Sequence, residues 1–460
     1  MKFANLITKK VHIIGINGIG MSALALYLKK NNIDVSGSDI TSNKITNTLN
    51  DNGIKVFIGH KEENVKNKDI IFYSSAIKVN PELTRAAKEG IPCYNRSKLL
   101  QLICKDKFTV VVSGSHGKTS TTSLLGHLLV NSGLNPIIIS GGIMQNFGQN
   151  IYLTDSNYVV VEADESDGTV FKLKPNYLIY LNVDREHIDF YKSYSKLKNQ
   201  IKKYINDNVR RGTKVFLCSD DIFLREIASK NKDIITFGSS HSFSYSYKIK
   251  KLTNINSTFD LFKDQKKYSE NILSPMLGEH NVSNMTAALS VIDSLNIKIN
   301  KSDILKFKGT LRRMNIIGKL NKNLFIDDYA HHPTELKKLI EVLKLYKSRK
   351  KYLIVEPHRY SRLNDLYDNY LETFKEIKNL VILKTYSAGE NILKGMKDSK
   401  DLVNDLNVKY GNKTIYIDSY TELFQFLDSQ SDKDSDNLFI TAGAGSISYQ
   451  IRFYYDSKKK

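Results

Sequence analysis

Val110-Val111-Val112-Ser113-Gly114-Ser115-His116-Gly117-Lys118-Thr119-Ser120-Thr121-Thr122 is the stretch on which the reading of this chain turns. Three β-branched residues in a row predict a buried strand. The glycines predict a tight turn, and a helix is expected from near Thr119 through Ser123-Leu124-Leu125-Gly126-His127-Leu128-Leu129. That arrangement holds a phosphate. Glycines let backbone N–H groups approach the anion, and the new helix adds unpaired N–H groups and a favourable dipole. Lys118 supplies a mobile charge for the outer phosphates, and the Thr119 hydroxyl is a ligand for Mg²⁺. The spacing is Gly-x-x-Gly-Lys-Thr; the common phosphate loop would need a glycine where Val112 stands. The stretch therefore reads as a shorter phosphate loop, against the alternative of an incidental Gly-Lys-Thr turn.

Around this loop the chain has 460 residues, enough for about three domains at ~150 residues each. It is 41% apolar and 25% charged, the balance of a soluble protein with large cores. Cys93, Cys104 and Cys218 are too few and too scattered for a disulfide framework or a zinc cluster, so a reduced, cytoplasmic setting is expected. No apolar run approaches the ~20 residues of a membrane span, and no membrane association is expected. The formal charge of +20 raises the question of nucleic acid. The lysines, however, are spread over the whole chain, and no basic stripe interleaved with aromatics appears. The charge reads as a solvated surface that also attracts anionic small substrates, with no nucleic-acid partner.

Upstream of the loop, strand Val11–Ile16 runs into Gly15-Ile16-Asn17-Gly18-Ile19-Gly20-Met21-Ser22, then a helix, then a second strand ending in Asp39. This resembles a dinucleotide-binding unit, but Asn17 stands where its fingerprint needs glycine. The loop still suits a diphosphate on a helix N-terminus, with Asp39 placed for a ribose or base; a tight turn without a ligand is the alternative. Ser74 and Ser75 end another strand, as ligand contacts or as a plain Ser-rich loop. Downstream, Tyr158-Val159-Val160-Val161 predicts a buried strand delivering Glu162, Asp164, Glu165 and Asp167 to its C-terminal end. A carboxylate there is what a nucleotide-bound Mg²⁺ requires. His187 follows a further strand and is either a metal ligand or base, or a core histidine. His280, Asn281 and Asn284 open a small-residue helix, as adenine contacts or as a cap. Residues 233–274 are polar and alternating, and a β-rich excursion is expected there. The last third repeats strand ends rich in polar groups, among them Asp327-Asp328-Tyr329-Ala330-His331-His332 and Pro357-His358-Arg359-Tyr360-Ser361-Arg362. Arg359 and Arg362 suit carboxylate or phosphate clamping, or are solvated.

Taken in order, the Gly15–Ser22 loop, Gly114–Ser120, Glu162–Asp167, Asn182–Tyr191, Gly278–Ala288, Asp327–Glu335, Pro357–Arg362 and Gly443–Ser446 resemble the motifs of the Mur ligases, across nearly the whole chain. The resemblance implies an α/β protein of three domains. These are a Rossmann-like domain for a UDP-sugar over residues 1–107, a P-loop-type central ATPase over 108–312, and a Rossmann-like closing domain over 313–460. It implies ATP and Mg²⁺ as cofactors, UDP-N-acetylmuramate and L-alanine as substrates, an acyl-phosphate intermediate, and a monomer or homodimer.

By the same resemblance Gly114, Ser115, His116, Gly117, Lys118, Thr119 and Ser120 hold ATP, with His280, Asn281 and Asn284 at the adenine and Arg313 and Asp328 as further nucleotide contacts. Thr119, Glu162 and His187 are implied metal ligands. Gly18, Ile19, Gly20, Met21, Ser22, Asp39, Ser74 and Ser75 fall on the UDP-sugar side, and Tyr329, His331, Arg359 and Arg362 on the amino-acid side. Lys118, Glu162, His187, His331 and Arg359 are the implied catalytic set. The base for the incoming amine is left open between His331, His332 and water. Gln200 falls where the ligases for D-glutamate and diaminopimelate carry a carbamylated lysine, which favours an alanine acceptor. The rivals are a ligase for a whole tripeptide, a nicotinamide oxidoreductase and a basic binding protein.

Overall fold

Lys10–Ile14 (β1) has one exposed residue followed by four buried ones, the signature of a strand covered on both faces. It lies at the centre of a five-stranded parallel sheet with Asp34–Asp39 (β2), Lys55–Ile58 (β3), Ile70–Tyr73 (β4) and Cys93–Asn95 (β5), in the order β3-β2-β1-β4-β5. The helix Ile19–Lys30 follows β1, and the helix Arg96–Cys104 follows β5.

The second sheet has ten strands. Phe108–Ser113 (β6) lies between Tyr158–Glu162 (β9) and Tyr177–Tyr180 (β10), parallel to both. Ile137–Met144 (β7) and Gln149–Tyr152 (β8) extend it beyond β9. Lys214–Cys218 (β11), Ile235–Gly238 (β12), Tyr245–Leu252 (β13), Ser257–Lys263 (β14) and Lys266–Ser274 (β15) extend it beyond β10. The polar, alternating segment is thus a β-rich extension of the central sheet. The loop helix Lys118–Asn131 is buried nearly all round. A Cβ at Gly126 would lie 2.5 Å from Ile138 of β7, so only glycine allows this helix its approach to the sheet.

The third sheet places Asn315–Leu320 (β16), Asn323–Asp328 (β17), Lys350–Val355 (β18), Leu380–Leu383 (β19), Ile415–Ile417 (β20) and Asn437–Ala442 (β21) in the order β16-β17-β21-β18-β19-β20. Only β16 is antiparallel to its neighbour. Its two faces carry separate apolar cores, one around Leu353, Val355 and Tyr370 and one around Phe325, Ile354 and Phe439.

The computed structural model describes residues 2–186, 188–431 and 435–459. The chain forms two compact units: Met1–Lys250 with Thr258–Leu273 and Asn281–Gly309, and Lys251–Ser257 with Ser274–His280 and Thr310–Lys460. Among the described residues no helix is long and apolar enough to cross a membrane.

Candidate active site

In the first unit β6 ends at Ser113 and the helix begins at Lys118, one residue before the expected start. The turn between them needs its glycines. Gly114 has φ +131° and Gly117 φ +85°. A Cβ on Gly114 would lie 3.0 Å from the backbone nitrogens of Leu181 and Asn182, and one on Gly117 only 2.6 Å from Asn284 Oδ1. Asn284 therefore sits against the phosphate loop, with Asn281 3.2 Å from it. Asn182 braces the loop from β10: its Oδ1 accepts from His116 N–H at 2.7 Å and its Nδ2 donates to the His116 carbonyl at 3.0 Å. The Ser115 hydroxyl accepts from Asp184 N–H at 2.8 Å, and His116 Nε2 lies 3.0 Å from the Asp184 carboxylate.

Lys118 folds back over this loop, donating to the carbonyls of Gly114 at 2.5 Å and Ser115 at 3.0 Å. Its Nζ lies 3.6 Å from Asp164 and 3.7 Å from Glu165. Burial alone would lower the Lys118 pKa, but the carboxylates of Asp164, Glu165, Glu186 and Glu162 reverse that and hold it above the ordinary lysine value. The ammonium is therefore charged at neutral pH. The four acids at the end of β9 have separate tasks. Glu162 accepts from the Thr119 hydroxyl at 2.8 Å and from Gly141 N–H at 2.5 Å. Asp164 faces Lys118 from a half-exposed position and accepts from Ser166 N–H at 2.8 Å. Glu165 is buried behind the lysine, with Tyr180 donating to it at 2.7 Å. Asp167 turns away and accepts from Thr169 N–H at 2.9 Å.

Thr119 and Glu162 present two hard oxygens side by side, beside a charged lysine that needs no metal. That donor set fits Mg²⁺ on a nucleotide. His187, the third expected ligand, lies outside the described residues. Gln200 is exposed on the helix Tyr194–Arg210.

The first-sheet loop turns at Gly15, φ +77°, where a Cβ would lie 3.0 Å from Ser74. Asn17 needs no left-handed backbone. Its N–H donates to Asp39 at 2.9 Å and its Nδ2 to the Thr41 carbonyl at 2.7 Å, so it ties the loop to the end of β2. Asp39 is thereby a loop anchor, accepting also from Ile40 N–H at 2.8 Å. Gly18 caps the helix, Ile19, Gly20, Met21 and Ser22 form its first turn, and the Ser22 hydroxyl returns to the Ile19 carbonyl at 3.0 Å. Ser74 N–H donates to Ile14 at 3.0 Å. Ser75 follows it, exposed.

In the second unit Asp328 accepts from Met314 N–H at 2.7 Å and Ala330 N–H at 2.8 Å. Burial pushes its pKa up to about 6 against the pull of Arg313. Both its oxygens thus hold backbone, including Met314 at φ +46°. Arg312 donates to the Gly443 carbonyl at 2.6 Å, and Arg312 and Arg313 lie 4.6 and 5.1 Å from the Tyr329 ring. His280 is pushed down to about 4 by burial, Lys338 and Arg313, and is neutral. His331 Nδ1 is 2.9 Å from the Tyr329 carbonyl, which places the proton on Nδ1 in the neutral ring. His332 instead caps the helix Pro333–Leu343, accepting from Thr334 N–H at 3.3 Å. Arg359 has φ +73° and donates to Glu390 at 2.6 Å, while Ser361 donates to the same carboxylate through N–H at 3.0 Å and Oγ at 2.8 Å. Arg362 donates to His358 Nδ1 at 3.3 Å. Burial, His331, Arg362 and Arg359 push the His358 pKa down to about 3, so this ring is neutral too.

Asn182, Glu390 and His358 are the residues to which sequence reasoning gave no role of their own. Each lay in or beside a strand end, and none had a spacing that told its role from its neighbours'. Arg96 had no local signal at all.

Family models match three stretches of the chain: "Mur ligase family, catalytic domain" over residues 10–108, "Mur ligase middle domain" over 112–292, and "Mur ligase, glutamate ligase domain" over 312–445. The UDP-N-acetylmuramate–L-alanine ligase of Hydrogenobaculum sp. is 38% identical over 95% of this chain and 96% of its own length. The crystal structure of the UDP-N-acetylmuramate–alanine ligase of Thermotoga maritima matches with a TM-score of 0.83 at 27% identity, over 98% of this chain and 99% of that one. A murein peptide ligase from Psychrobacter arcticus shares the fold, with a TM-score of 0.69 at 18% identity over 98% of each chain.

Proposed function

The chain belongs to the Mur ligase family, and on that premise we propose that it joins L-alanine to the lactyl carboxylate of UDP-N-acetylmuramate at the expense of ATP. The observation that carries the acceptor is the run of full-length relatives bearing that activity in their names, at 34–38% identity. The carboxylate takes the γ-phosphoryl group of ATP, because carboxylate oxygen is a poor leaving group. The alanine amine then attacks the acyl phosphate, and the tetrahedral intermediate collapses to amide and phosphate. The loop Gly114–Ser120 cradles the phosphates and Lys118 neutralises charge on the transferring oxygens. Thr119, Glu162 and His187 would hold Mg²⁺, which supplies Lewis-acid polarisation of the phosphates when bound.

We assign residues 1–107 to the UDP-sugar, 108–312 to ATP and 313–460 to the amino acid, with the reaction in the cytoplasm. Tyr329, Arg359 and Arg362 supply contacts to alanine. His331 rather than His332 takes the proton of the amine, because the His332 ring is used as the cap of the helix Pro333–Leu343. The test is phosphate release from ATP with Mg²⁺ and UDP-N-acetylmuramate against L-alanine, glycine, L-serine, D-glutamate and a tripeptide. Release that needs the UDP-sugar and is fastest with L-alanine is expected. Release only with the tripeptide would replace this reading with a recycling ligase, and no release with any amine would end it.

A further inference from the structure

Arg96 opens the helix Arg96–Cys104. Its guanidinium lies against the first turn of another helix: a Cβ built on Gly20 would lie 2.1 Å from Arg96 Nη1 and 3.3 Å from Cζ. Its Nε is buried and has no hydrogen-bond partner among the described residues, and no described carboxylate pairs with it. This is an unfavourable place for an uncompensated cation. The amides of Ile19 and Gly20 open the helix Ile19–Lys30 with no intrahelical carbonyl to satisfy them, and that end of the dipole is positive. The first turn contains no acid to offset it. Guanidinium and helix end thus repel each other unless an anion lies between them.

The space for one is there. A cavity of about 170 Å³ is lined by Gly20 and Arg96 on one wall and by Ser140, Gly141, Glu162 and Asp164 on the other. The two carboxylates repel an anion from their side, so a diphosphate belongs at the Arg96 wall. We propose that Arg96 is a side-chain clamp for the diphosphate of the UDP-sugar, sharing it with the amides that open the helix Ile19–Lys30. The inference deepens the proposed function and rests on its choice of a UDP-sugar substrate. A planar guanidinium suits the task because its paired N–H groups match phosphate oxygens, which a lysine ammonium cannot reproduce.

The test is calorimetric titration of the full chain with UDP and with uridine, for the wild type, Arg96→Met and Arg96→Lys, followed by steady-state kinetics. Arg96→Met should weaken UDP about 10- to 100-fold, the worth of a charge-assisted hydrogen bond, and leave uridine unchanged. The KM for UDP-N-acetylmuramate should rise in parallel, with KM for ATP and L-alanine held. Arg96→Lys should recover part of the loss. Unchanged UDP affinity in Arg96→Met overturns the clamp. So does a fall in kcat with KM for the UDP-sugar unaltered, which would place Arg96 at the transferring phosphoryl group. If Arg96→Met does not fold, Arg96→Lys decides alone: a weaker UDP with uridine constant supports the clamp, and an unchanged UDP overturns it. A wild type that binds UDP through Arg96 yet forms no product from UDP-N-acetylmuramate and L-alanine removes the proposed activity and leaves the clamp. An active wild type with a fully UDP-competent Arg96→Met removes the clamp alone.

Discussion

Lys118→Met offers the sharpest test of how the phosphate loop is built, because the lysine has a structural task as well as a chemical one. Lys118 is 8% exposed and Glu165 3% exposed, with 3.7 Å between Nζ and Oε2; Asp164 stands 3.6 Å away on the open side. Methionine keeps most of the volume and removes the charge. Glu165 is then a buried carboxylate that has lost the ammonium 3.7 Å from it, a loss in the range of about 3–5 kcal/mol for a broken buried pair. At ~2–4 °C per kcal/mol for a unit of this size, the melting temperature should fall on the order of 10 °C. The chain has no tryptophan, so circular dichroism is the readout.

The pH dependence separates this from simple loss of packing. In the wild type the Lys118 pKa is raised, so its contribution is complete below the unfolded lysine value of about 10.4 and is lost only as pH rises above that. The wild-type contribution is therefore flat between pH 5 and 8, in roughly the range where the orphaned carboxylates of the variant take up protons. The Lys118→Met deficit should accordingly shrink as pH falls toward about 5. The double variant Lys118→Met/Glu165→Gln should regain stability at pH 7.5 and remain inactive in phosphate release. A melting temperature within a degree or two of wild type, or a deficit independent of pH and of Glu165, would refute the charge-compensation argument.

Three other outcomes follow from the same geometry. Gly117→Ala forces a methyl group toward Asn284 at a φ of +85°; it should cost on the order of 1–3 kcal/mol in thermal or urea unfolding and raise KM for ATP. Thr119→Val keeps shape but removes the hydroxyl shared with Glu162; activity against Mg²⁺ concentration should show a larger rise in metal demand than in KM for ATP, and equal shifts would argue against a metal role for Thr119. His358 is held neutral, its pKa lowered to about 3. Below about pH 6.5 the unfolded chain therefore binds a proton that the folded chain refuses. Stability due to this group is present above pH 6.5 and is lost as pH falls toward 3. His358→Asn, which keeps an acceptor for Arg362, should flatten acid unfolding of the second unit over that window.

Much of the site could be read directly from residue types. Val110–Val112, the glycines at 114 and 117, and Lys118-Thr119 constrain their own backbone: positive φ, close approach and a new helix end are local requirements that few residues meet. The strand ending at Glu162 was legible for a similar reason, since a short continuous run of β-branched residues favours a covered strand over a helix. What the string of letters left undecided were pairings between strand ends. Four acids followed β9, and only the packing of Tyr180 and Lys118 made Glu165 the buried partner and turned Asp167 away. Asp328 and Asp39 read as ligand contacts, and only the folded chain shows that each also accepts from backbone N–H groups of a loop it anchors. Arg96 had no motif, because its significance lies in Gly20, a residue of a different helix. Local conformational demands are written in adjacent residues; charge compensation and hydrogen-bond satisfaction are settled between residues far apart in the chain. The sequence by itself therefore determined the α/β fold and the strand, glycine turn and helix around Gly114–Thr119, while only the tertiary structure decided which charges face each other and which polar groups are already engaged.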